Sequence, residues 1–154
     1  ISPGERFAIV VDTRTDPEIP AELARAALEL GGDPVVVTIA PRARSGMEPP
    51  APAAAAMAGA DVVLCAASTS LYHTTAKAAA QHAGARGVFN APYRADSWRN
   101  GAMTADFVAV RRRAETLAAL WRVTREVRIT SPAGTDLRAT VAGRAPMAWL
   151  TGSA

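Results

Sequence analysis

The residues best placed to do chemistry lie in three short polar clusters, each following an apolar run. They are Asp12-Thr13-Arg14-Thr15-Asp16, Ser68-Thr69-Ser70-Leu71-Tyr72-His73-Thr74-Thr75 and Asn90-Ala91-Pro92-Tyr93-Arg94. His73 stands out. It sits among hydroxyl groups at the start of a predicted helix, where a neutral imidazole can take a proton from a substrate or simply hydrogen-bond the loop. Ser68 and Ser70 either cap that helix or contact a small ligand. A nucleophilic serine calls for a tight turn of the Gly-x-Ser-x-Gly kind, and neither serine has flanking glycines. Asp12 could orient a substrate, or bond its own loop alongside Arg14 and Asp16.

Other chemistries find no residues to carry them. The chain has two histidines, His73 and His82. Nine residues apart on one helix, they differ by roughly 900° of turn, which sets them on opposite faces. There is no His-Glu-x-x-His and no cysteine pair, so no metal site is expected within this chain. The single cysteine, Cys65, lies in an apolar run and reads as a reduced core thiol. Neither a Gly-x-Gly-x-x-Gly turn nor a phosphate loop follows a strand, which argues against a dinucleotide or ATP. The net charge of +3 comes almost wholly from arginine. Its one run, Arg111-Arg112-Arg113, has no interleaved aromatic residues and reads as a solvated helix face, not a nucleic-acid surface.

These clusters need a scaffold. Of the 154 residues, 49% are hydrophobic but only 5% aromatic. Alanine alone supplies roughly a quarter of the chain, far above ordinary usage. The core must therefore be thin and aliphatic, with small residues between layers. Phe7–Val11, Pro34–Ile39, Asp61–Ala66 and Arg86–Asn90 are predicted strands. Helices are predicted between them: from an Asp16 cap to Gly31, over Ala53–Met57, and in the alanine-rich stretch ending near His82. The stretch 41–52, with four prolines, is a predicted loop. A short helix over Arg94–Asn100 precedes a long amphipathic helix from Thr104 to Val123, its apolar stripe being Phe107, Val110, Ala114, Leu117 and Trp121. Strands alternating with helices predict an α/β fold: an open, mostly parallel sheet with helices on both faces, Rossmann-like and three-layered. Ligands of such sheets bind beyond the carboxyl ends of the strands, where the three clusters fall.

The pattern changes after residue 124. Glu126–Thr130 and Asp136–Val141 alternate polar and apolar residues around Ser131-Pro132-Ala133-Gly134-Thr135, which predicts an antiparallel hairpin with one buried face. A lone hairpin is marginal in water. Its apolar face, with Met147, Trp149 and Leu150, expects a partner. Residues 1–124 thus read as an α/β domain and 125–154 as the start of a second one. The chain opens without Met and stops just after an apolar triplet, so both ends read as cut. No signal peptide and no stretch of 18 apolar residues is present, which places the expected protein in the cytoplasm, away from membranes.

The order of segments resembles a known family. Val11-Asp12-Thr13-Arg14-Thr15-Asp16-Pro17-Glu18, Ser68 to Thr74, and above all Val127-Arg128-Ile129-Thr130-Ser131-Pro132-Ala133-Gly134-Thr135-Asp136-Leu137 are similar to the N-terminal part of thermophilic aminopeptidase-type metallopeptidases. They resemble more closely the branch that includes 2,5-dihydroxypyridine 5,6-dioxygenase. The resemblance implies a two-domain enzyme whose metal, Fe(II) in the dioxygenases, is bound by a C-terminal domain that is not in this chain. It implies a small aromatic substrate, or a peptide in the aminopeptidase alternative, and a homo-oligomer. It makes His73 the catalytic acid/base, with Ser68, Ser70 and Tyr72 shaping the substrate pocket. A non-catalytic module that binds a ligand or a partner protein is the reading from a different class. On either enzymatic reading, this chain alone is expected to show no activity and no bound metal.

Overall fold

The computed structural model describes residues 1–147. They form two compact units, Ile1–Thr104 and Ala105 onward. In the first, the order is β1 (Arg6–Asp12), α1 (Glu18–Glu29), β2 (Asp33–Ile39), α2 (Ala51–Ala58), β3 (Val62–Cys65), α3 (Thr75–His82), β4 (Arg86–Val88) and α4 (Asp96–Arg99), closed by a 3₁₀ turn at Gly101–Thr104. The strands are all parallel and lie in the order β2-β1-β3-β4.

β1 is central because it can bury both faces. Its side chains alternate, and each set has its own layer. Ala8 and Val10 join Val63, Cys65, Met57 of α2 and Ala76 and Ala80 of α3. Phe7, Ile9 and Val11 join Ile19 and Ala27 of α1, together with Ala91, Ala95 and the half-buried Trp98 near α4. Helices therefore cover both faces, as the alternation of elements predicts. Burying Ile9 or Val11 stabilises the sheet by about 1.5–3 kcal/mol each. The alanines let the helices approach closely, so the thin core is also a tight one. The edge strand β2 leaves Val35 and Val36 exposed.

One predicted start differs. Asp16 does not cap α1. Pro17 holds the N-cap position with no side-chain hydrogen bond, and the Asp16 carboxylate is used elsewhere. The helix predicted over Ala53–Met57 extends to Ala51–Ala58, with Pro52 in its first turn, where a missing N–H costs nothing.

The second unit holds α5 (Phe107–Val123) and the hairpin of β5 (Glu126–Thr130) and β6 (Asp136–Thr140). Asp106 caps α5, its carboxylate accepting the Ala109 N–H at 3.0 Å. The predicted stripe of α5 is not a buried one. Ala118 is the buried residue of this helix, while Leu117 is 66% and Val123 81% exposed. The hairpin pairs Val127 with Ala139 and Ile129 with Leu137. Gly134, at φ +97°, makes the turn and donates its N–H to the Ser131 carbonyl at 3.0 Å. The face expected to be buried is open, with Ile129 and Leu137 both exposed. Trp149 and Leu150 lie outside the described residues.

Candidate functional site

Strand order reverses between β1 and β3: the chain steps from β1 outward to β2, then returns to the other side of β1. The loops leaving β1 and β3 lead to helices on opposite faces of the sheet, α1 and α3, and they are tied to each other at the carboxyl ends of the strands. All three polar clusters meet there.

Asp12 joins the first cluster to the second. It ends β1 and is only 2% exposed. One carboxylate oxygen accepts the Ser68 hydroxyl at 2.6 Å and the Ser68 N–H at 2.8 Å; the other accepts the Arg14 N–H at 2.9 Å. Burial pushes this carboxyl up, but the hydrogen bonds from Ser68 and Arg14 outweigh it and hold it below the usual carboxylate range. Thr15 adds a second tie by donating its hydroxyl to the Ala66 carbonyl at 2.8 Å. Asp12 is thus a loop organiser with its acceptors in use.

Asp16 joins the first cluster to the third. Its carboxylate accepts the Ala95 N–H at 2.9 Å and pairs with Arg94 at 3.0 Å, while its own N–H donates to the Tyr93 carbonyl at 3.0 Å. The acid predicted as a cap therefore pins the loop after β4.

The residues Ser68, Ser70, Tyr72 and His73 share one loop, between β3 and α3. Neither serine caps α3. Thr74 does so, accepting the Lys77 N–H at 3.1 Å, and Glu48 accepts the N–H groups of Thr75 and Ala76 at 2.6 and 3.1 Å. Those N–H groups, the Thr75 one first, hold the Glu48 carboxyl below its ordinary range. Ser68 donates its hydroxyl hydrogen to Asp12, which leaves its oxygen able only to accept a further hydrogen bond. Ser70 Oγ accepts the Tyr72 N–H at 3.2 Å. That leaves its own O–H able to donate. Tyr72 is 40% exposed, with the Lys77 ammonium 4.6 Å from its ring centre. The ammonium is within cation–π range of that ring. His73 is exposed and lies just before α3. Its ring stands edge-on to Tyr72, centroids 4.9 Å apart, and among the described residues it makes no hydrogen bond. His82 is exposed, with Nδ1 3.1 Å from the Ala78 carbonyl oxygen.

Sequence reasoning missed Glu48. It lies 27 positions from Thr75 in a proline-rich loop, with no local pattern marking it as a cap.

A metal does not fit these residues. Among those described, no three His, Cys, Asp or Glu side chains come together. Asp12 is saturated by protein donors, and burial pushes the Cys65 thiol up to about 12, so it stays protonated. No helix of the described chain is long and apolar enough to cross a membrane. Arg111, Arg112 and Arg113 lie exposed on α5.

A parallel sheet of this order, with polar loops gathered at its switch point, defines an α/β protein of the doubly wound class. The sequence model of the 2,5-dihydroxypyridine 5,6-dioxygenase (NicX) family matches residues 1–153, and the chain belongs to that family. No curated protein and no solved structure matches the chain.

Proposed function

We propose that this chain is the α/β lobe of an iron(II)-dependent dioxygenase that opens the ring of a hydroxylated N-heteroaromatic compound such as a dihydroxypyridine. The observation that carries this reading is the placement of Ser68, Ser70, Tyr72 and His73 on one loop at the β1/β3 switch point of a chain in this family. The iron, which supplies the oxygen chemistry, belongs to a companion C-terminal lobe of the same protein, because the described residues of this chain do not fit it. The open hairpin of β5 and β6 is the surface such a lobe would cover.

The chain's own residues bind and move a proton. Ser68 Oγ, fixed by Asp12, accepts a hydrogen bond from a ring hydroxyl or ring N–H. Ser70 donates one to a ring oxygen. Tyr72 offers an aromatic wall. The His73 imidazole, with no hydrogen-bond partner among the described residues, takes a proton from a ring hydroxyl and returns one as the ring opens. A role of that kind is worth roughly 10²–10⁴ in rate.

The test is His73→Ala in the full-length protein, supplied with 2,5-dihydroxypyridine, iron(II) and oxygen. Turnover is expected to fall at least about 100-fold while iron content stays unchanged. Wild-type turnover in the variant would remove the role of His73. Hydrolysis of aminoacyl anilides by the wild-type protein, without ring opening, would make it the peptidase instead.

A further inference from the structure

Residues 41–50 leave β2 with neither helix nor strand, yet they are not loose. Their far half rests on the β3–α3 loop. Ser45 Oγ accepts the Ser70 N–H at 3.1 Å, and the Gly46 N–H donates to the Ser70 carbonyl at 2.9 Å. Glu48 then takes both first-turn N–H groups of α3. Gly46 also passes close to His73: a β-carbon there would lie 3.7 Å from the His73 carbonyl oxygen.

These contacts bracket His73. Ser70 is fixed on one side of it, Thr75 and Ala76 on the other. Within the bracket the partners are local: the Thr74 hydroxyl donates to the Leu71 carbonyl at 2.7 Å, and the Thr74 carbonyl accepts the Ala78 N–H of α3 at 3.2 Å. The Thr74 hydroxyl serves the Lys77 N–H, so the Thr75 and Ala76 N–H groups depend on Glu48. At the root of the same loop, Arg42 Nε is buried without a partner among the described residues, so that end gains no side-chain hydrogen bond from it. Glu48 completes the set of hydrogen bonds that Ser45 and Gly46 begin, and it is the one that reaches past His73.

We propose that Glu48 is a positioning residue for His73: it clasps the 41–50 strap onto the start of α3 and thereby fixes the backbone that aims the imidazole. This rests on the acid/base role of His73 given above. A base displaced by about an ångström loses on the order of 10²-fold in rate, so a clasp of this kind acts on turnover more than on affinity.

The test is Glu48→Ala in the full-length protein, with two readouts. Amide hydrogen exchange over residues 71–76 is expected to quicken at least about tenfold. The kcat for ring opening is expected to fall about tenfold or more, with KM within about twofold. The double variant Glu48→Ala/His73→Ala is expected to turn over no more slowly than His73→Ala alone, since the clasp has nothing left to aim. Glu48→Gln, which keeps an acceptor without the charge, should recover much of the loss; Glu48→Asp, too short to reach both N–H groups, carries the same cycle if Glu48→Ala fails to fold. Unchanged exchange, or losses that simply multiply in the double variant, would overturn the proposal alone. Wild-type turnover in His73→Ala would overturn both readings together.

Discussion

Arg86 grips Glu5 with both terminal nitrogens of its guanidinium, Nη1 to Oε1 at 2.7 Å and Nη2 to Oε2 at 2.8 Å. Arg6 holds Asp61 with two parallel hydrogen bonds as well, from Nε to Oδ2 at 3.0 Å and from Nη2 to Oδ1 at 2.7 Å. Together they stitch the amino ends of β1, β3 and β4, at the opposite end of the sheet from the candidate site. The hydrogen bond from Arg86, helped by the Ser2 N–H, holds the Glu5 carboxyl at about 2, and Arg6 holds Asp61 at about 2.

The acid sensitivity of the fold follows from these two pairs. Carboxyls held low in the folded state stabilise it fully above their unfolded values near 4, and that contribution drains away as the pH falls from about 4 toward 2. Both pairs lie at the surface, so salt screens them. Stability measured by urea unfolding should fall between about pH 5 and 2, and less steeply in about 0.5 M salt. The Glu5→Gln/Asp61→Asn variant should show the shallower slope already at low salt. Equal slopes in the variant and the wild type would refute the assignment.

Asp12 allows a second prediction, on the opposite end of the sheet. Removing its carboxylate strands three donors, the Ser68 hydroxyl, the Ser68 N–H and the Arg14 N–H, at a site almost closed to water. Asp12→Ala should cost about 2–4 kcal/mol in urea unfolding. Asp12→Asn keeps one acceptor but turns an NH₂ toward a donor, so it should fall between the two. Ser68→Ala removes a single hydrogen bond and should cost about 1 kcal/mol. A loss below about 0.5 kcal/mol for Asp12→Ala would show that the loop is held by something else.

How far the sequence disclosed this arrangement depended on the range of the interaction. Phe7 to Val11 announced a strand buried on both faces, because burial on two sides leaves no place for a polar residue. The hairpin was legible as two strands around one turn, because alternation and the Gly134 turn are local. What the sequence could not disclose was which distant group answers each polar atom. Asp16 precedes a proline and so looks like a cap, but its carboxylate goes to Ala95, 79 positions away. Ser68 and Ser70 stand before α3 and look like its caps, but Thr74 is the cap, and Glu48 arrives from another loop to take the Thr75 and Ala76 N–H groups. The α5 stripe of Phe107, Leu117 and Trp121 has a helical period, yet a period states only that a face exists, not that it is covered.

Gly87 sets the last prediction, and it concerns the shortest strand. β4 is three residues long and pairs Gly87 with Val63 of β3. A β-carbon on Gly87 would run into the Val63 carbonyl oxygen and lie 2.9 Å from its carbon. That carbonyl belongs to the backbone of an inner strand, which cannot swing aside. β4 must move instead. It is an edge strand with Val88 exposed, so the least costly response to Gly87→Ala is for β4 to lift from β3. That would pull on Phe89, buried in the α2/α3 layer, and on Ala91, whose N–H donates to the Cys65 carbonyl at 2.8 Å. Overpacking of this kind costs about 1–3 kcal/mol. Gly87→Ala should therefore lower the melting temperature by several degrees and speed amide exchange first over residues 86–91, while the β1–β2 pairing stays protected. A melting temperature within about one degree of the wild type would show that no such close approach exists in solution.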